Sequence, residues 1–269
     1  MQYRKNNKQA SFFHWRKPPV TSKTMMGLAV LVFCALFYYF FLAPYIRKWK
    51  YIHTEGEYGV FIPDGYTIYG IDISHYQKDI DWDKMVKDVE KKEYPLKFIF
   101  VKATEGENHH DELFIKNFDN ARKYGFIRGA YHFYIPSITA EKQAKNFIKQ
   151  VQLLPGDLPP VLDVEATGGK SKKELKREIK RWLSLIEKHY NAKPIIYASL
   201  RFKENYLSDD ELDNYPLWIA HYYVDSVQYK GSWHFWQNTD MAKIPGIDPY
   251  VDLNIFHGTM EELTKLTIK

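Results

Sequence analysis

From residue 69 onward the chain alternates two hydrophobic patterns. Short runs of β-branched and aromatic residues, most closing on polar positions, alternate with stretches whose apolar residues recur at helical spacing. The runs lie at 69–74 (YGIDIS), 98–103 (FIFVKA), 129–134 (GAYHFY), 160–165 (PVLDVE), 194–199 (PIIYAS), 217–221 (LWIAH), 233–237 (WHFWQ) and 251–256 (VDLNIF), and each predicts a strand. Helices are predicted at 82–92 behind an Asp81 cap, at 112–124 ending before Gly125, at 141–154 ending before Pro155, and at 171–190. The last opens SKKE, a capping-box pattern of Ser171 and Glu174. Strand–helix alternation implies a parallel sheet with crossover helices, and eight strands in about 200 residues imply a closed barrel. Beyond the fifth strand the helical patterns shorten, so an irregular second half is expected.

The run 25–43 (MMGLAVLVFCALFYYFFLA) has a different character. It holds no charge over 19 residues. As a helix it covers about 28 Å, one hydrocarbon core. Tyr38, Tyr39 and Tyr45 suit an aromatic belt. Six basic residues precede the run, which predicts a cytoplasmic N-terminus and an exported body. A cleaved signal peptide is the competing reading, but the run is long for one and lacks an A-x-A site. Phe33 before Cys34 also fits poorly with a lipidation site. The expected organisation is a basic cytoplasmic segment at 1–24, a transmembrane helix at 25–43, a tether at 44–66 and a folded domain at 67–269. The protein is thus expected to be a single-pass membrane protein, its domain on the periplasmic or extracellular side.

Composition changes the picture in three places. Apolar residues make up 45% and charged residues 26% of the 269, an ordinary globular balance that excludes disorder. Cys34 is the single cysteine, which excludes an intrachain disulfide framework and a cysteine-rich zinc site. Of 38 Lys and Arg, nine fall in residues 1–50, which hold no Asp or Glu; residues 51–269 carry 29 basic against 33 acidic groups. The positive excess therefore sits beside the apolar run, and no nucleic-acid partner is expected. No P-loop, GxGxxG or G-x-S-x-G occurs, so a nucleotide-dependent enzyme and a serine hydrolase are poorly supported.

Candidate chemistry gathers at the predicted strand ends, where barrel enzymes build their sites. Four carboxylates stand in or at the ends of three strands: Asp72, the pair Asp163 and Glu165, and Asp252. Residues i and i+2 of a strand share a face, so Asp163 and Glu165 point the same way, roughly 7 Å apart at Cα. Two carboxylates that close resist joint ionisation, so one holds its proton to higher pH. A protonated acid beside an ionised partner is what glycosidic cleavage requires. A salt-bridged or calcium-binding pair is the alternative, though no EF-hand or HExxH spacing occurs. No cofactor or metal is expected, and His109 and His110 read as solvated. Tyr131, Tyr197 and Trp236 suit either a sugar-binding floor or barrel packing, and His75 and His132 suit either substrate contact or a structural role. Trp218, flanked by apolar residues, reads as core. The candidate substrate-binding set is Tyr131, His132, Tyr197, Trp236, Gln237 and Lys102.

At these residues the sequence resembles the glycoside hydrolase family 25 lysozymes, the Chalaropsis-type muramidases. The likeness runs from Gly70 to Phe256 through GIDISHYQ, FVKATEG, RGAYHFY, GDLPPVLDVE, PIIYAS, LWIAHY, FWQNT and VDLNIF. It implies an irregular, flattened (β/α) barrel of the TIM-barrel type behind one transmembrane helix. The implied reaction is cleavage of the β-1,4 bond between N-acetylmuramic acid and N-acetylglucosamine, so peptidoglycan is the implied partner. By motif, Glu165 resembles the general acid. Asp163 is similar to the carboxylate that steers the substrate's 2-acetamido group, and Asp72 and Asp252 match the two other acids of the cleft. Lys78 and Phe118 depart from the family pattern, where Gly and Trp are frequent; neither is a carboxylate. A catalytically silent glycan-binding scaffold and a hydrolase of another N-acetylated glycan such as chitin are the competing readings.

Overall fold

A computed structural model describes residues 22–53, 56–208 and 210–269, so most of the expected cytoplasmic segment at 1–24 lies outside the described residues. Two compact units meet between Ile46 and Arg47. The first carries helix α1 (Ser22–Phe37), a π-helical turn (Tyr38–Leu42) and the start of α2 (Ala43–Ile52). None of the side chains from Ser22 to Leu42 is buried, and mean hydropathy reaches 2.3 in this stretch. A helix apolar on every side with nothing packed on it is suited to lipid.

The second unit begins earlier than the expected domain start at residue 67. Residues 47–53 and 56–66 of the expected tether fall in the second unit. The helix continues to Ile52, and Tyr51, Tyr58 and Val60 are buried in the second unit. Arg47, Lys48 and Lys50 end the apolar run without ending the helix, because all three are sound helix formers.

Among the described residues nine strands follow: β1 (Tyr69–Ile73), β2 (Leu96–Glu105), β3 (His109–His110), β4 (Ile127–Phe133), β5 (Val161–Asp163), β6 (Ile195–Ser199), β7 (Leu217–Ala220), β8 (Phe235–Ala242) and β9 (Val251–Phe256). Eight close a barrel in the order β1-β9-β8-β7-β6-β5-β4-β2, shut by the β1–β2 pairing, and β3 folds back on the end of β2. The intervening helices are α3 (Trp82–Val89), α4 (Phe114–Lys123), α5 (Ala140–Gln150), α6 (Lys172–Tyr190) and the short α7 (Leu200–Tyr206), with α8 (Met260–Leu266) after the last strand. Asp81 caps α3, and Ser171 with Glu174 forms the capping box of α6, as the sequence predicts. The sheet is not wholly parallel: β9 runs antiparallel to both β8 and β1. Only residues 243–250 join β8 to β9. A parallel crossover needs a dozen or more residues, so the chain turns straight back.

Two apolar layers flank the barrel wall. The outer layer lies between strands and helices and includes Ile71, Ile99, Val101, Trp182 and Ile219. The inner layer includes Phe98, Phe100, Trp218 and Phe235, with Phe100 and Trp218 stacked at 4.4 Å between ring centres. This aromatic floor needs bare backbone beside it. A Cβ on Gly129 would lie 2.5 Å from Phe100, and one on Gly70 would lie 2.5 Å from Phe98. Gly129→Ala is therefore expected to destabilise the fold by about 1–3 kcal/mol through overpacking. A denaturant midpoint equal to that of the unaltered chain would count against this account of the floor.

Candidate functional site

Above the aromatic floor the barrel opens into a cavity of about 370 Å³ at the C-terminal ends of the parallel strands. Eight of the ten residues selected from sequence line it: Asp72, Lys102, Tyr131, Asp163, Glu165, Tyr197, Gln237 and Asp252. Asp252 arrives by an unexpected route. It stands at the start of β9, not at its end, and because β9 is reversed its cross-strand partner is Asp72.

His132 and Trp236 are not among the lining residues. Neighbours in a strand face opposite sides, so His132 cannot share the cleft with Tyr131, nor Trp236 with Gln237. His132 is wholly buried on the outer face, where its ring bonds Thr104 Oγ1 at 2.7 Å and Gln143 Oε1 at 3.1 Å and stacks on Trp182. Burial lowers its pKa to about 4, against the Gln143 bond and the charge of Glu105. Trp236 is also wholly buried, and its Nε1–H donates to the His221 carbonyl at 2.8 Å.

Trp218, Tyr222, Tyr76 and Phe133, which sequence reasoning left out, also line the cavity, as does Glu105, read at a strand end but not selected. Trp218, read as core, is both core and cavity floor; its lateral partners Tyr197 and Phe235 in the sheet register mark its inward face. Glu105 follows from a bulge in β2. Lys102 pairs with Tyr131 and Thr104 with His132, so Ala103 is an extra residue. Regular alternation would send Lys102 and Glu105 to opposite faces, but the inserted residue brings both inward. Lys102 Nζ then donates to Glu105 Oε2 at 2.7 Å.

A hydrogen-bond network holds Asp72. Its Oδ2 accepts from Asn254 Nδ2 at 2.7 Å and from Gln237 Nε2 at 2.8 Å. Asn254 Oδ1 in turn accepts from Trp218 Nε1 at 2.9 Å. Gln237 Oε1 accepts from the hydroxyls of Tyr197 at 2.7 Å and Tyr222 at 2.6 Å. Both amides are thereby fixed with their NH₂ groups toward Asp72, which favours its ionised form. Burial pushes both Asp72 and Asp252 above the usual carboxylate range. With the amide donors spent on Asp72, the proton of this pair rests on Asp252.

The DxE pair behaves differently. Asp163 ends β5 and is buried, and its Oδ1 has no hydrogen-bond partner. Burial pushes its pKa well up, and the charges of Glu165 and Asp72 push it further, with Lys102 opposing. Glu165, two residues on, is solvent-accessible through the cavity mouth, yet the surrounding walls still raise its pKa, again against Lys102. Five carboxyl groups thus share a cavity with one lysine. Among the described residues no group of three or more His, Cys, Asp or Glu side chains is arranged to hold a metal ion.

Comparison with known proteins gives concordant findings. The sequence profile described as glycosyl hydrolases family 25 matches residues 71–247. The chain is 41% identical over 230 residues to the uncharacterized protein YegX of Escherichia coli (strain K12), covering 83% of this chain and 84% of that one. It is 29% identical to Lysozyme M1 of Streptomyces globisporus, covering 74% of this chain and 71% of that one. A family 25 glycosyl hydrolase from Bacillus anthracis superposes with a TM-score of 0.70 at 32% identity, covering 80% of this chain and 99% of that one.

Proposed function

The chain belongs to glycosyl hydrolase family 25, and from that premise we propose that it is a membrane-anchored lysozyme. It cleaves the β-1,4 bond between N-acetylmuramic acid and N-acetylglucosamine in peptidoglycan. The observation that carries the reading is the pairing of two carboxyl groups with divergent environments in one cavity. Glu165 is accessible and has a raised pKa. Asp163 is buried with one oxygen unmatched. An accessible, protonated carboxyl is a donor for the glycosidic oxygen, which leaves poorly as an alkoxide. A buried oxygen lacking a donor is a receptor for the N–H of a 2-acetamido group, and accepting that bond favours the ionised form of Asp163.

The reaction follows from these roles. Glu165 gives its proton to the leaving oxygen as the C–O bond breaks. The acetamido carbonyl oxygen, its N–H held by Asp163, closes on the anomeric carbon. Water then opens that ring and returns a proton to Glu165. Substrate-assisted hydrolysis of this kind is an established variant of glycoside cleavage. The Asp72–Asp252 pair holds one proton between two carboxyls and supplies both a donor and an acceptor to the sugar. Tyr131, Tyr197, Gln237 and Lys102 complete the binding wall.

The anchor is residues 25–43, with 1–24 in the cytoplasm and the barrel outside. Support comes from an apolar helix with no buried side chain and from six preceding basic residues. Anchoring confines the enzyme near its polymer and raises the effective concentration of wall.

The test is mass spectrometry of borohydride-reduced products after incubating the full chain with peptidoglycan. New reduced muramic acid ends are expected. Reduced glucosamine ends would overturn the bond assignment, and cleavage of chitin oligomers in preference to peptidoglycan would overturn the substrate. In cells the protein is expected in the washed membrane fraction at full mass; a soluble, shortened form would overturn the anchor.

A further inference from the structure

Residues 47–53 and 56–61 lie against the loop that carries one wall of the cleft. Tyr51, on the last turn of α2, is 4% exposed. Its hydroxyl donates to Asp225 Oδ1 at 3.1 Å, and its ring meets the edge of Tyr223 at 5.9 Å. Lys48 Nζ stands 5.2 Å from the centre of the Tyr223 ring. The chain then returns: Phe61 N–H donates to the Tyr51 carbonyl at 3.3 Å, and the two rings pack at 4.9 Å. The helix end and its return thus hold the segment 223–225 from outside.

That segment adjoins the cleft. Tyr222 lines the cavity and bonds Gln237, the residue that orients Asp72. Tyr222 and Tyr223 are sequence neighbours whose rings lie 5.9 Å apart, the first at the cavity and the second against Tyr51. The backbone reverses between them because Tyr223 adopts φ +58°, the left-handed region. A tyrosine is costly there, since its Cβ crowds the carbonyl, so the surroundings must impose the conformation. Three holds do so: Tyr223 N–H donates to the Asn238 carbonyl, its hydroxyl bonds Asp240, and its ring is packed by Tyr51 and Lys48. Tyr222 itself is 36% exposed; its hydroxyl is tied to Gln237, and its ring lies 5.9 Å from that of Tyr223, so the placement of Tyr223 bears directly on it.

We propose that residues 47–53 and 56–61 form a strap that positions Tyr222 in the cleft, with Tyr51 as the positioning residue. The segment that follows the anchor is then part of the glycan site and not a spacer. Loss of the Tyr51 ring releases the strained turn at Tyr223, and the Tyr222 phenol no longer holds one orientation against Gln237. The inference rests on the reading of this cavity as a glycan cleft, and its test separates the two.

The test is a double-mutant cycle in the full chain, with kcat and KM on peptidoglycan. Tyr222→Ala sets the reference. Tyr51→Ala is expected to lower kcat/KM about tenfold in the unaltered chain and to have no further effect beside Tyr222→Ala. Tyr51→Phe, which keeps the ring and loses the Asp225 bond, is expected to cost about threefold. Equal losses from Tyr51→Ala in both backgrounds, or no loss in either, overturn the proposal. Val224 and Val227 still pack against the core, so the barrel is expected to survive the change. If Tyr51→Ala nevertheless fails to fold, Tyr51→Phe carries the same cycle. A second readout needs no substrate: 3-fluorotyrosine placed at position 222 is expected to give one sharp fluorine resonance, broadened or split by the Tyr51 change. An unaltered resonance overturns the strap. If the unaltered chain proves inactive on peptidoglycan, the glycan reading fails and the resonance alone decides the strap.

Discussion

Glu165→Gln is expected to lower kcat/KM on peptidoglycan by about 10³-fold or more, with glycan affinity changed by less than about threefold. The amide keeps the size of the side chain and its place at the cavity mouth but has no proton to give to the leaving oxygen. The pH profile adds a check. Glu165 has a raised pKa and must be protonated to act, so activity of the unaltered chain persists above the usual carboxylate range. It is lost as pH rises through that raised value. The residual rate of the variant is expected to show no such alkaline limb. Unaltered chain and variant that both bind glycan without new reducing ends would replace the hydrolase reading with a scaffold. A variant that retains most of its activity would move the general acid elsewhere in the cavity.

Asp163→Asn is expected to lower kcat by about 10²-fold while stabilising the fold at neutral pH. The two effects have one cause. Asp163 is buried, with an oxygen that finds no donor in the empty cavity. Its folded-state pKa lies well above that of the unfolded chain. For a carboxyl raised in this way, the folded form binds the proton more tightly. The stability this confers is complete below about pH 3.9, the unfolded value, and declines as pH rises toward the folded value. Asn carries no charge to bury and shows no such decline. Thermal melts of variant and unaltered chain are therefore expected to coincide near pH 3 and to separate as pH rises, with the variant higher. Coincident melts at pH 8 would contradict the placement of Asp163, and unchanged kcat would remove it from the reaction.

The strand-end carboxylates illustrate how far a linear pattern reaches. Asp72, Asp163 and Glu165 were recoverable because each ends an apolar run, and side-chain parity puts the DxE pair on one face. The same parity, applied to adjacent pairs, separates Tyr131 from His132 and Gln237 from Trp236. Which member of each pair faces inward depends on register with neighbouring strands, and a single strand carries no record of that. Glu105 could be read at a strand end, but its direction could not, for a related reason. Its inward direction comes from the extra residue Ala103 in β2, and a bulge leaves no reliable mark in composition. Asp252 lines the cavity, but its position at the rim depends on the reversal of β9.

Local signals along the chain determined the apolar helix, the alternation of strands and helices, the caps at Asp81 and Ser171, and the acids that mark the rim. These depend on residues within a few positions of each other, where propensity and periodicity act directly. Tertiary structure alone decided which side chains share the cavity, which carboxyl holds its proton, and that Tyr51 and Lys48 pack against Tyr223. Those outcomes depend on groups far apart in sequence: Asn254 donates to Asp72 across 182 residues, and Tyr51 to Asp225 across 174. Burial and register are properties of the closed barrel, and no local run of residues contains them.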